Sequence, residues 1–136
     1  MKELNLEIIT PSKQAFSGKV RTVTVPGTAG NFQVLFNHAP LLSTFDIGKV
    51  KIEDLDGKET EFVTSGGTVE VTENKILLLA DSLETKEEID VQRALKSYER
   101  AKERLAAARG NEIDAFRAET ALARAINRLK FTNSAF

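Results

Sequence analysis

Residues Lys49 to Thr64 read KVKIEDLDGKETEFVT, and residues Thr68 to Ala80 read TVEVTENKILLLA. In the first stretch, apolar and charged residues alternate on both sides of Asp56-Gly57. An Asp-Gly pair in that place is a strong β-hairpin signal, because a type I′ turn needs positive φ at both central positions. In the second stretch, Glu73-Asn74 takes the equivalent place between Thr68–Thr72 and Lys75–Ala80. Working outward, Leu4, Leu6 and Ile8 alternate with Glu3, Asn5 and Glu7, a half-buried strand that ends at Thr10-Pro11. Val20 to Val25 is a β-branched run stopped by Pro26-Gly27, and Phe32 to Phe36 reads as a further strand. Short strands at such spacing predict an antiparallel sandwich or barrel. About 80 residues can enclose its core, since chains of ~60 already fold alone.

The pattern changes near residue 85. All 3 prolines, 7 of the 8 glycines and 8 of the 9 valines precede it, and 11 alanines follow it. Alanine with Lys, Arg and Glu favours helix, as valine and glycine favour strands and turns. From about Glu88 to Arg109, Val91, Ala94, Leu95, Tyr98, Ala101, Leu105 and Ala108 form one apolar stripe. From about Glu112 to Lys130, Ala115, Ala118, Leu122, Ala125, Ile126 and Leu129 form another. Gly110-Asn111 separates them, a glycine after the last turn and then an asparagine in N-cap position. Two amphipathic helices with a short loop predict an antiparallel hairpin. Its alanine-rich stripes bury little area at ~25 cal/mol per Å², so the pair depends on a further surface. The fold class is therefore α+β in two parts: an N-terminal antiparallel β-sandwich or barrel over residues 1–85, then a helical hairpin over residues 86–136.

Composition excludes several chemistries. The 136 residues suit one compact domain, or a small domain with an appendage. With 41% hydrophobic and 29% charged residues, the chain is neither disordered nor membrane-like. It has no cysteine, so disulfides, thiolate zinc sites and cysteine nucleophiles are absent. His38 is the single histidine and has no catalytic companion. The net charge of −1 argues against bulk binding to nucleic acid or acidic lipid. It is nevertheless the sum of −4 over residues 1–85 and +3 over residues 86–136. No apolar run nears the ~20 residues of a membrane span, and MKELNLEIITP resembles neither a signal nor a transit peptide.

Arginine is the least ordinary feature. Arg93, Arg100 and Arg104 sit at i, i+7 and i+11, and Arg117, Arg124 and Arg128 repeat the spacing. At 100° per residue, each set spans only about 40° of arc, opposite the apolar stripe. One reading is a solvated face paired with acids such as Glu99 and Glu103. The other is polyanion binding, since the arginine fork suits phosphate oxygens. No glycine-rich phosphate loop occurs: Gly27-Thr28-Ala29-Gly30 is too short, and Ser65-Gly66-Gly67 is a bend without the G-x-S-x-G frame. The paired acids Asp54/Asp56 and Glu87/Glu88 sit at a turn and at a helix start, where Glu87 and Glu88 favour the positive helix end.

Taken together, these residues resemble the epsilon-subunit family of rotary, proton-translocating F-type ATP synthases. The resemblance covers essentially the whole chain. It rests on LEIITP near the start, GNFQVLFNHAPLL over Gly30 to Leu42, SGGTVEVTENKILLLAD over Ser65 to Asp81, and IDVQRA over Ile89 to Ala94. It implies a non-catalytic rotor subunit of the central stalk that helps couple proton flow to ATP synthesis. Its sandwich would bind the gamma subunit and the c-ring, with Asn31, Phe32, His38, Pro40 and Leu42 as contact positions. Its mobile helices would extend into the alpha/beta head and inhibit ATP hydrolysis. The family's I/L-D-x-x-R-A motif implies that the folded hairpin binds ATP as a regulatory ligand, not as a catalytic cofactor. The matching positions are Glu84, Ile89, Asp90, Arg93, Ala94, Arg100, Arg124 and Arg128. Arg104 and Arg117 share the arginine faces, but the motif assigns them no contact. Asn31-Phe32-Gln33 departs from the acidic and glycine-containing family pattern near the c-ring. The implied location is the cytoplasmic side of a bacterial cell membrane, peripherally bound and without insertion, in preference to an organelle-encoded copy. The alternative is a free-standing nucleotide-sensing or polyanion-binding module. An enzyme of small β-sandwich type would need a catalytic constellation that the sequence does not display.

Overall fold

The computed structural model describes residues 2–132. The chain forms two compact units, Met1–Thr85 and Lys86–Phe136.

The first unit contains β1 (Leu4–Ile9), β2 (Gln14–Gly27), β3 (Gly30–Val34), β4 (Leu41–Phe45), β5 (Gly48–Asp54), β6 (Glu59–Thr64), β7 (Gly67–Thr72), β8 (Lys75–Ala80) and β9 (Leu83–Glu84). They hydrogen-bond in the order β1-β8-β7-β4-β2-β5-β6-β9, with β3 on β2 and a further β1–β2 pairing. The long β2 belongs to both layers of the sandwich. Its first half pairs with β1, from Leu4↔Val20 to Ile9↔Gln14, and its second half pairs with β3 and β5. Alternation sends Leu4, Leu6, Ile8, Val23, Val25, Val69, Val71, Ile76 and Leu78 into one core, each at most 2% exposed.

Several local expectations change. The strand expected at Val20 begins at Gln14, because Gln14 to Lys19 lacks β-branched residues and is held instead by β1. The third strand lies two residues earlier than Phe32–Phe36, and β4 was not anticipated. The β1–β8 pairing is parallel, whereas the other pairings are antiparallel. The type I′ turn is at Glu73-Asn74, with φ of 48° and 62°, not at Asp56-Gly57. There only Gly57 has positive φ, at 85°. The Asp54 carboxylate organises that longer loop by accepting from the Asp56 and Lys58 amides, both at 2.9 Å. The bend at Ser65-Gly66-Gly67 is held by the Gly66 amide donating to Thr64 Oγ1 (3.2 Å) and by a Ser65–Ser82 hydroxyl hydrogen bond.

The second unit contains α1 (Val91–Ala107) and α2 (Glu112–Phe131), which pack against each other. The first helix starts three residues later than expected. Asp90 is its N-cap, so Glu87 and Glu88 lie outside the first turn, which holds no acid. Asn111 caps α2 by accepting from the Asp114 amide at 3.1 Å, and Gly110 takes φ of 73° between the helices.

Candidate functional site

The site is built from the start of α1. Asp90 Oδ1 accepts from the Arg93 amide at 3.0 Å, which satisfies a donor the helix cannot use. Ile89, 7% exposed, and Ala94, 4% exposed, occupy the N′ and N4 places of a hydrophobic staple. Asp90 therefore has a local duty in starting the helix, and Ile89 and Ala94 are buried close by in sequence. The Arg93 side chain has no such duty and is exposed.

The apolar stripes divide in the structure. Ala94, Ala101, Ala118 and Ala125 are buried, and the seven-residue spacing on both helices makes a seam of small side chains. The larger Leu95, Tyr98, Leu122 and Ile126 are half-buried and lie to one side of it. On the other side, about 90° around each helix from its alanines, come the arginines. The arginines are thus beside the seam rather than opposite the stripe. The rotational sense is the same on both helices. In an antiparallel pair, equal offsets about the two axes bring both sets to one broad face. Arg104 and Arg117 show this directly, since they line one groove with Ala107, Ala108, Asp114, Ala118 and Ala121. Arg93, Arg100, Arg124 and Arg128 continue the same face toward the open end of the hairpin.

At five of these six arginines the expected pairing with acids is absent. Among the described residues, no carboxylate lies within 4.0 Å of the Arg93, Arg100, Arg104, Arg117 or Arg124 guanidinium. Glu99 and Glu103 project elsewhere on α1. The contrast with the first unit is plain, where Lys19–Glu3 at 2.9 Å and Arg21–Glu53 at 3.2 Å pair across strands. Two cations ~8 Å apart in water repel by about 0.5 kcal/mol, so the face is mildly unfavourable alone and any bound anion reverses that sign.

The remaining positions fall in the first unit. Glu84 is half-buried in β9. Asn31 and Phe32 lie on β3, exposed and half-buried respectively. His38 and Pro40 lie between β3 and β4, with His38 Nδ1 2.7 Å from the Ala39 carbonyl. That loop is tied to the β7–β8 turn, because the Asn37 amide donates to Asn74 Oδ1 at 2.6 Å. Leu42, the second residue of β4, is 76% exposed. Register places Leu42 in one row with Glu70, Leu77 and Glu7, and Leu79 and Ile9 in the next row on the same outer face. Leu79 is 46% exposed and Ile9 36%. The sequence signal for this apolar patch is the unbroken run Ile76-Leu77-Leu78-Leu79, where a half-buried strand should alternate.

Comparison with known proteins matches both units. A family model described as "ATP synthase, Delta/Epsilon chain, beta-sandwich domain" covers residues 3–86, and one described as "ATP synthase, Delta/Epsilon chain, long alpha-helix domain" covers residues 87–133. The chain belongs to the ATP synthase epsilon-chain family. The epsilon chain of Nitratidesulfovibrio vulgaris is 42% identical over 134 residues, covering 98% of each chain. The epsilon chain of Desulforamulus reducens is 41% identical over 129 residues, covering 95% of this chain and 96% of its own. In fold, the chain resembles one in the Euglena gracilis mitochondrial ATP synthase (OSCP/F1/c-ring), with TM-score 0.79 and 21% identity over 92% of this chain and 78% of the other. A chain in the Tetrahymena thermophila mitochondrial ATP synthase central stalk/c-ring has TM-score 0.66 and 15% identity, covering 95% and 96%. No helix among the described residues is long and apolar enough to cross a membrane.

Proposed function

We propose that this epsilon chain is a central-stalk rotor subunit whose helical hairpin senses ATP and restrains ATP hydrolysis. The arginine face carries the ATP reading, because Arg93, Arg100 and Arg124 offer guanidinium forks to phosphate oxygens with no carboxylate to displace among the described residues. Arg93, Arg100, Arg124 and Arg128 bind the phosphates, with adenine near Ile89 and Asp90 and with Glu84 as the upstream acid. The alanine seam supports a hairpin that can leave its folded state, since small side chains bury little apolar area. In the extended state its basic face meets acidic segments of the alpha/beta head. The sandwich binds gamma through His38, Pro40 and the apolar patch around Leu42. It meets the c-ring through Asn31 and Phe32. The complex sits peripherally on the cytoplasmic side of a bacterial membrane.

Calorimetric titration of the full chain with ATP tests the ligand. Binding is expected in wild type, lost in Arg93→Ala and in Arg124→Ala, and weaker for ADP. Equal ATP binding by all three proteins would refute the site. Equal binding of ADP and ATP would refute the role given to the terminal phosphate.

A further inference from the structure

The arginine face is longer than the proposed ATP site needs. Arg104 follows Arg93, and Arg128 follows Arg117, by eleven positions, which is about 16 Å along each axis. In the antiparallel hairpin, Arg104 and Arg117 stand at the turn end. They lie about 6 Å in rise beyond Arg100 and about 10 Å beyond Arg124. The ATP motif leaves both without a contact. We infer that the groove between Arg104 and Arg117 is an oxyanion site of its own, taking a small phosphate-class dianion.

The lining supports this in three ways. Both guanidinium groups border a single groove of about 370 Å³, at the lower end of ligand-pocket sizes. Between them lie Ala107, Ala108, Ala118 and Ala121, whose methyl groups leave room without competing for hydrogen bonds. Neither arginine has a carboxylate within 4.0 Å among the described residues. Asp114 is the one acid of the lining, so the groove keeps a net positive charge and its carboxylate limits affinity for an anion. The anion has two sources, a free inorganic phosphate species or the phosphate tail of a nucleotide held at the open end. The inference stands apart from the ATP reading, and its test separates the two.

The probe is pyrophosphate, titrated calorimetrically into the full chain, with circular dichroism to follow helicity. The Arg93→Ala/Arg124→Ala double variant, which removes competing binding at the proposed ATP site, is expected to retain pyrophosphate binding at the groove. Adding Arg104→Gln/Arg117→Gln to it is expected to weaken that binding roughly tenfold or more, the loss of charge-assisted hydrogen bonds. Asp114→Asn is expected to tighten it. If the glutamine pair unfolds the hairpin, Arg104→Lys/Arg117→Lys replaces it: this pair keeps the charge but loses the fork, and weaker binding is expected. Absence of pyrophosphate binding to wild type overturns the inference, as does unchanged binding in the glutamine or lysine pair. Equal loss in the Arg93/Arg124 and Arg104/Arg117 variants overturns it too, because the face would then be one continuous nucleotide site. Pyrophosphate binding without ATP binding in wild type supports this site while defeating the ATP reading.

Discussion

Replacing Asp90 with alanine separates the two duties that the I-D-x-x-R-A motif can have. In the structure, Asp90 Oδ1 accepts from the Arg93 amide at 3.0 Å, and the first turn of α1 that follows holds no acid. Loss of an N-cap costs about 1 kcal/mol, within a range of ~0.5–2. Loss of a negative charge at the positive helix end adds ~0.3–1 kcal/mol. Asp90→Ala should therefore destabilise the first turn by about 1–2 kcal/mol. Asp90→Asn keeps a capping oxygen and loses only the charge, so it should cost ~0.3–1 kcal/mol. Hydrogen exchange at the amides of residues 93–95 reads the difference, because local opening sets their protection. A cost of 1–2 kcal/mol corresponds to exchange faster by roughly 5–30-fold. Wild-type exchange in Asp90→Ala would show that the cap carries no weight. Equal acceleration in both variants would assign the effect to charge instead. An ATP titration then completes the division. If Asp90 also meets the nucleotide through its carboxylate, Asp90→Asn binds ATP more weakly although its helix start is preserved.

Three other perturbations test separate parts of the chain. Gly67→Val should destabilise the sandwich by about 3 kcal/mol or more in chemical denaturation, because a Cβ there would run into the Leu79 backbone carbonyl oxygen and stand 2.9 Å from the Phe45 ring. Asn74→Gly should be nearly neutral as a turn but should free the 35–40 loop, since it keeps the φ of 62° and loses the bond from the Asn37 amide. Asn74→Val should cost more in the same denaturation assay, because a β-branched residue resists positive φ. Sulfate at constant ionic strength should raise the helical signal of the hairpin on heating relative to chloride. Identical melting in the two salts would mean that the arginine face gains nothing from a bound oxyanion.

How far the sequence could be read differs by element, and for physical reasons. Alternation placed β1, β5, β6, β7 and β8, because their side chains divide between one core and one outer face. It missed the start of β2 and all of β4, whose pairing is decided by distant partners: Gln14 to Lys19 by β1, and Leu41 to Phe45 by β7. Turn chemistry misled at Asp56-Gly57, where the Asp54 carboxylate gathers two amides and makes a longer loop preferable to a two-residue turn. At Glu73-Asn74 the weaker pair adopted the mirror-image turn, and Asn74 was kept in place by Asn37 as well as by its own strands.

The arginine face is a harder case, because spacing alone says that each helix has one and not where the two faces meet. That step needs the seam. Ala94 and Ala101 on α1, and Ala118 and Ala125 on α2, are the buried small residues, and each arginine set lies about 90° from its own alanines in one rotational sense. Had the second set been displaced the opposite way around α2, the hairpin would carry one arginine row on each broad face. Neither row could then share a groove. Moving Arg117 to that side tests the argument: Arg117→Gln with Ala115→Arg keeps the charge and the helix and carries the guanidinium around to the other face. Pyrophosphate affinity should fall as far as in Arg104→Gln/Arg117→Gln. If it stays at the wild-type value, net charge and not the shared face governs binding.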